Sequence, residues 1–339
     1  MATSRRAGVR ADGIYAMGAE NPYRELVGRL TADEFSLLKN AVDERSCRDE
    51  VGAGTLAEAA EMFRPAPACP RCGETSPWKD GATSAGVPRW RCPKCSGRFG
   101  SLAGTVLEYC KKPFATWVSF VRLMRFNVPL DCAAEVCGVT HKTAFEWRHR
   151  VLATVSGYQA RIVLRDVVWA DETYIVDTDL SRGYGQARKH GLSAQKVCIC
   201  VAIDVHKNLA AVACGHGKPS SERVRKALGA RIAPGSLLIH DKERSHNVLV
   251  RELGLESEAH KADVGDPVYL ERMEMVNNLC AWLKRYLWRF TGMSPANLQA
   301  YLDWYVYLFR VNQARDKWEP NARVVRHILM ADATYRSSR

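Results

Sequence analysis

The chain has no long apolar run. No stretch approaches the roughly 18–20 uncharged apolar residues that a membrane helix needs. Its first residues, MATSRRAGVRADG, lack the apolar centre of a signal peptide. These two absences predict a soluble, cytoplasmic protein. There is no internal repeat and no low-complexity tract, which argues against solenoids and collagen-like chains. Acid is the scarcer charge: 37 Asp and Glu stand against 49 Lys and Arg, a net of +12 over 339 residues. Residues 66–165 hold 15 basic and 6 acidic side chains, so three quarters of the excess sits in under a third of the chain. Concentrated Lys and Arg suit a polyanion-binding module.

Cysteine, by contrast, is plentiful, with 12 in the chain. Only four are regularly spaced. Cys69-x2-Cys72 is followed after 19 residues by Cys92-x2-Cys95. Two such knuckles match a structural zinc site, in which four thiolates close a tetrahedron and leave no position for catalysis. A unit of about 40 residues has little core of its own, so the metal would supply folding energy. PRWRC between the knuckles reads as a strand of a zinc ribbon. Arg89, Arg91 and Lys94, with Arg71, Lys79 and Arg98, favour nucleic acid as its partner. Cys198 and Cys200 lie two apart in a strand-like run and read as small residues sharing one face.

Along the chain, residues 1–65 read as a basic arm followed by two short amphipathic helices broken near Thr31, which is placed to cap the second. Residues 66–104 are the ribbon. Residues 105–160 are helical. In them VPLDCAAEVCGVTHKTAFEW has a helix-turn-helix cadence, with Gly138 in the turn, Val139 plugging the angle and Thr140 capping the second helix. His141, Lys142 and Thr143 near that helix's start, and Arg148 further on, are the DNA-contact candidates. Residues 161–315 begin with the β-rich runs VVWADETYIV, KVCICVAIDV, LAAVAC and SLLIHD, with a helix in SERVRKALGARI, and end in two long helices separated by TGMSP. Residues 316–339 are read as a tail.

Asp171 and Glu172 lie within the first of these strands. Successive side chains alternate faces, so the strand period predicts that only one of them faces a given site. Asp241 directly follows a second apolar strand. Asp204, near a hairpin end, is a competing position better suited to a turn. Two aspartates from neighbouring strands can hold Mg²⁺ through hard oxygens, and a pair of ions can serve phosphodiester chemistry. Asn277 and Lys284 are seven apart on a helical segment, so they share one face roughly 10 Å apart. An amide oxygen there can complete a metal shell and an ammonium can hold a phosphate. Glu274, one turn before Asn277, is the alternative third carboxylate, and Asn278 a lesser one.

The order of these parts resembles the zinc-ribbon insertion-sequence transposases of the ISXO-like group. The resemblance rests on the four cysteines, DETYI on a strand, the GLSAQKV segment, an Asp after an apolar strand, VNNLCAWLKRYLWRF and NLQAYLDWYVYLFRVN. It implies an α/β RNase H-like catalytic domain, a mixed sheet flanked by helices, behind the ribbon and the helical DNA-binding region. It implies a DDE-type site in a version with Asn and Lys: Asp171, Asp241, Asn277 and Lys284. It implies one structural Zn²⁺ and Mg²⁺ or Mn²⁺ as catalytic ions, two of them, the Mg held by Asp171 and Asp241. The implied activity is metal-dependent cleavage at element ends and 3′-hydroxyl strand transfer into target DNA. The partners are double-stranded DNA, as terminal inverted repeats and target, and further copies of the chain in a dimer or larger assembly, in a bacterial cytoplasm at the nucleoid. Such chemistry needs no protein nucleophile, so Tyr174 reads as structural. Cys280, Ala281 and Trp282 replace the family's usual HSR, and Lys242 follows Asp241 where a small residue is usual. These departures leave a second reading, a catalytically inactive, transposase-derived DNA-binding regulator. A plain nuclease, which would cut without joining, is a third.

Overall fold

The computed structural model describes residues 21, 23–176, 196–290, 292–313 and 319–331. The basic arm before residue 21, the first five residues of GLSAQKV and the end beyond residue 331 lie outside the described residues.

Three helices open the described chain: α1 (Arg24–Gly28), α2 (Ala32–Val51) and α3 (Leu56–Phe63). Thr31 does cap α2, in a full capping box with Glu34. The helix is 20 residues long rather than short. Only Cys47 and Val51 of α2 are buried, near its C-terminal end, while Phe35, Leu37 and Val42 are exposed. The ribbon follows as an antiparallel sheet in the order β1 (Trp78–Ala82), β2 (Pro88–Arg91), β3 (Arg98–Gly100). Its core is thin. Trp90 supplies much of it, with its indole N–H donating to Ser101 Oγ at 2.8 Å.

Helices α4 (Phe114–Arg125), α5 (Leu130–Val136) and α6 (His141–Ala153) come next. Prolines immediately precede α4 and α5, where a missing N–H costs nothing. Gly138 takes φ +57° in the turn before α6, a conformation that L side chains resist. The Thr140 side chain accepts the Thr143 N–H at 3.2 Å and so starts α6. Trp147 from α6 stacks on Trp117 of α4 at 4.1 Å between centroids, with Phe120 edge-on at 5.3 Å. This aromatic cluster fixes the helices against one another.

The second half is one mixed sheet in the order β6-β5-β4-β7-β8. The central β4 (Val167–Val176) pairs antiparallel with β5 (Lys196–Asp204) and parallel with β7 (Leu237–Asp241). β6 (Leu209–His216) and β8 (Glu256–His260) are the edges. Alternation sorts the side chains. Val167, Trp169, Val197, Ile199 and Val201 face the core under α9 (Pro267–Trp288) and α10 (Leu298–Gln313). Val168, Ala170, Tyr174, Cys198 and Cys200 face α7 (Ser221–Leu228) and α8 (Asn247–Leu253). The four apolar strands and three of these helices were expected. β8 was not: its sequence, ESEAH, carries no apolar run, as suits a charged edge strand. Residues 320–330, expected in a tail, form α11 (Pro320–Met330), which buries Val324, Val325, Ile328 and Leu329. Helix α11 packs on α2, α3, α4 and α10, so a single continuous core runs from the N-terminal helices through the ribbon edge to α9 and α10.

Candidate active site and metal centres

β7 ends at Asp241, one position past the Ala170–His240 pair with β4. Asp171 therefore stands level with that last residue, and Glu172 lies one position beyond it. Glu172 starts from the α7 face and Asp171 from the α9 face, yet both reach the vacated strand end. Carboxylate oxygens of Asp171, Glu172 and Asp241 lie within 4.8 Å of one another. The expectation that only one of the adjacent pair could join the site is corrected here. Strand alternation holds for the Cβ atoms, but a strand end lets two opposed side chains converge.

Three carboxylates this close repel. Burial pushes the Asp171 carboxyl up to about 6, and Asp241 and Glu172 add to the rise. Burial and Glu172 likewise hold Asp241 above its ordinary value. His246 sits wholly buried beside them, Nε2 3.3 Å from Glu172 Oε1 and Nδ1 3.6 Å from Asp241 Oδ1. Burial pulls the His246 imidazole down, but the carboxylates of Glu172, Asp241 and Asp171 outweigh it and raise its pKa. Ser245 Oγ lies 3.4 Å from Glu172 Oε1. The donor set is hard oxygen under mutual repulsion, which a divalent cation such as Mg²⁺ or Mn²⁺ relieves, so the residues present fit such an ion.

Helix α9 crosses this end of the sheet. Cys280 Sγ lies 3.9 Å from Asp171 Oδ2. Burial raises the pKa of the Tyr269 phenol on α9, and the charges of Asp171 and Asp241 add to the rise. Asn277, Cys280 and the exposed Lys284 thus occupy the flank nearest Asp171. Glu274 and Asn278 occupy the other flank. They line a cleft of about 720 Å³ with Trp169, Lys207 and Trp282, and Asn278 reaches Glu274 rather than the acidic cluster. Asp204 is buried at the β5–β6 turn, where its oxygens accept from the Arg165 and Asn208 amides.

The ISXO2-like transposase domain family matches residues 163–312. This part of the chain is an ISXO2-like transposase domain. Solved structures with some likeness include the simian T-cell lymphotropic virus intasome in complex with PP2A regulatory subunit B56 gamma. It is 13% identical over 58% of this chain and 69% of that one, with a TM-score of 0.30. A pre-cleavage Mos1 transpososome is 14% identical over 64% and 79%, with a TM-score of 0.26. The Mos1 mariner paired end complex with Mn is 15% identical over 64% and 78%, with a TM-score of 0.22. No curated protein matches the chain.

Sequence reasoning missed two residues of the transposase domain's acidic end. Glu172 was set aside by the strand period, and His246 lay unmarked five residues after Asp241. The spacing DKERSH was the available signal, a His returning toward an Asp across a tight turn. That turn is the short 3-10 stretch at residues 244–246.

Outside the transposase domain, the four ribbon cysteines come together. Cys69 Sγ is 3.6 Å from Cys95 Sγ and Cys72 Sγ 3.5 Å from Cys92 Sγ, and all four lie within 4.8 Å. Tetrahedral zinc with bonds of about 2.3 Å requires sulfur–sulfur edges of about 3.8 Å, so the site fits Zn²⁺. Arg91 and Lys94 are exposed. Arg89 and Arg98 both flank Asp80, at 3.9 and 2.9 Å. At the start of α6, His141 and Lys142 are exposed, and Thr143 is partly occupied with Thr140. Arg148 must be corrected. It is buried, its guanidinium donates to the Val128 carbonyl at 3.0 Å and lies over the Phe290 ring at 5.2 Å, so it ties α6 to the segment just after α9 and presents nothing to DNA. Among the described residues no helix is long and apolar enough to cross a membrane.

Proposed function

We propose that the chain is a DNA transposase that cuts at the ends of an insertion sequence and joins the freed 3′-hydroxyl to target DNA. The observation that carries this reading is the convergence of Asp171, Glu172 and Asp241 at the end of the central strand, in a domain of the ISXO2-like transposase family. The strand order, with one aspartate on the central strand and one at the end of its parallel neighbour, supports an RNase H-like architecture. Asp171 and Asp241 would hold the catalytic divalent ions, with Glu172 as a further oxygen donor. Such ions supply an activated attacking oxygen and charge stabilisation at the phosphorus. The chain's own side chains do the rest. His246 holds Glu172 and Asp241 in place, as outer partners do for ligating carboxylates. The Asn277 amide faces the same end, and Lys284 reaches for a phosphate. Hydrolysis leaves a 3′-hydroxyl and a 5′-phosphate at the element end. The 3′-oxygen then gives up its proton and displaces a bridging oxygen of the target strand, so one phosphodiester bond is made for each one broken.

The ribbon and the helix pair α5–α6 would hold the element ends, through Arg91, Lys94, His141, Lys142 and Thr143. Two ends must be held together, so the working form is a dimer or larger on DNA, in the bacterial cytoplasm. The test is cleavage and joining on labelled duplexes carrying the repeats that flank the gene, with Mg²⁺ or Mn²⁺. Joined products, lost in Asp171→Ala and in Asp241→Ala, are expected. Cleavage without joining would make it a nuclease. Full DNA binding with no cleavage in either metal would make it an inactive regulator.

A further inference from the structure

A second site lies on the α10 face of the sheet, outside the acidic end. A cleft of about 570 Å³ opens between the β5–β6 turn, the start of β4 and α10. Four cations line it, each from a different segment: Arg161 after α6, Arg165 just before β4, Lys207 in the β5–β6 turn and Arg310 of α10. Among the described residues no carboxylate lines it. Two acids beside its lining residues are committed elsewhere. Asp204 is fully buried and takes the backbone N–H groups of Arg165 and Asn208 together with the Asn208 side-chain amide. Asp166 is paired with His206 at 2.5 Å.

Lys207 is the residue that marks the cleft as built. It adopts φ +64°, in a turn closed by the Lys207 N–H to the Asp204 carbonyl at 3.0 Å and the Asn208 N–H to Asp204 Oδ1 at 2.8 Å. That left-handed position suits Gly or Asn and disfavours any other L side chain. A lysine kept there costs the turn stability, and such local cost concentrates at functional positions. Its ammonium lies 3.4 Å from the neutral Met275 sulfur, at the border with the neighbouring cleft that Glu271 and Glu274 line. Arg310 is held in place by Asn208 Oδ1 at 3.1 Å.

We infer that this cleft binds the phosphate backbone of duplex DNA, independently of sequence. The inference rests on the transposase reading above and adds a contact to it. Four charges spread over four segments match successive phosphates better than a single small anion. The position also fits. The turn begins past the Val168–Asp204 pair, three strand residues from Asp171, or roughly 10 Å along β4. Helices α9 and α10 cover the face between the two, so the cleft holds DNA beside the acidic end rather than along β4.

The experiment is fluorescence anisotropy of the zinc-loaded full chain with duplexes of several unrelated sequences, over a range of salt, beside thermal unfolding. The variants are Lys207→Asn, Arg161→Gln and the pair together. For each cation removed, the slope of log affinity against log salt should shrink by about one, with severalfold weaker binding on every sequence alike. Lys207→Asn should keep or raise the unfolding midpoint, because Asn suits the turn, so weaker binding cannot be put down to a damaged fold. Unchanged affinity and slope in the double variant, with the natural protein binding well, would overturn the cleft and spare the transposase reading. Failure of the natural protein to bind any duplex would overturn both. Displacement of DNA by micromolar pyrophosphate, abolished in the double variant, would make this a small-anion site and also overturn the inference.

Discussion

Asp171 illustrates how a single side chain reports its purpose. A carboxyl raised to about 6 in the folded chain, from an ordinary 3.8, binds its proton more tightly folded than unfolded. By linkage the metal-free protein therefore loses stability through this group as pH rises from about 4 to about 6. A divalent ion competes for the same oxygens and needs the deprotonated form. Mn²⁺ affinity should thus climb with pH up to about 6 and level off above it, as calorimetric titration at a series of pH values would show. An affinity flat between pH 5 and 7 would contradict the placement of Asp171 in the metal shell. The two aspartates were legible because each interrupts or ends an apolar strand, where an unpaired carboxylate is costly. Glu172 was not, because period-two alternation says where a Cβ points and nothing about where the neighbouring strand stops. Arg148 was misread for a related reason: on a helix of mixed composition, charge alone does not reveal that the guanidinium turns inward to a carbonyl and a ring.

At the scale of elements, the geometry of α9 favours one of two candidate third residues. Its sequence allowed either Asn277 or Glu274, 60° apart around the axis. In the fold Asn277 shares the flank of Cys280, which touches Asp171, while Glu274 lines a different cleft. Asn277→Ala should lower strand transfer by about 10-fold to 100-fold, the range seen when a supporting partner of a metal site is lost. Glu274→Gln should leave it within about twofold. The reverse ranking, read from product yield on the same duplexes, would exchange the two assignments. Elements with a strong period were legible, as in β4 to β7 and α9 and α10, and Thr31 and Thr140 marked the starts of α2 and α6. The edge strand β8 was not, since an exposed edge needs no apolar pattern. Helix α11 carried its signal, a proline at its first position and a Val-Val-x-x-Ile-Leu stripe, but a charged stretch before it resembled the start of a tail.

At the scale of the whole molecule, sequence composition divides the chain more sharply than its packing does. Ribbon, helices and sheet have distinct compositions, yet Val87, Trp147, Tyr286 and Val325 belong to one connected core. Arg148 and α11 tie the N-terminal helices to the transposase domain, so the ribbon, the helix pair α5–α6 and the acidic end share one packed core. The two candidate metal centres differ in chemistry: four sulfurs in the ribbon, three carboxylates at the strand end. A native mass measurement of the full chain, loaded with Zn²⁺ and then titrated with Mn²⁺, separates them directly. One Zn²⁺ and two Mn²⁺ per chain are predicted, with Asp171→Asn losing Mn²⁺ and keeping Zn²⁺. Mn²⁺ uptake that is absent from the natural protein, or unchanged in Asp171→Asn, would contradict a metal-dependent strand-transfer site at Asp171 and Asp241.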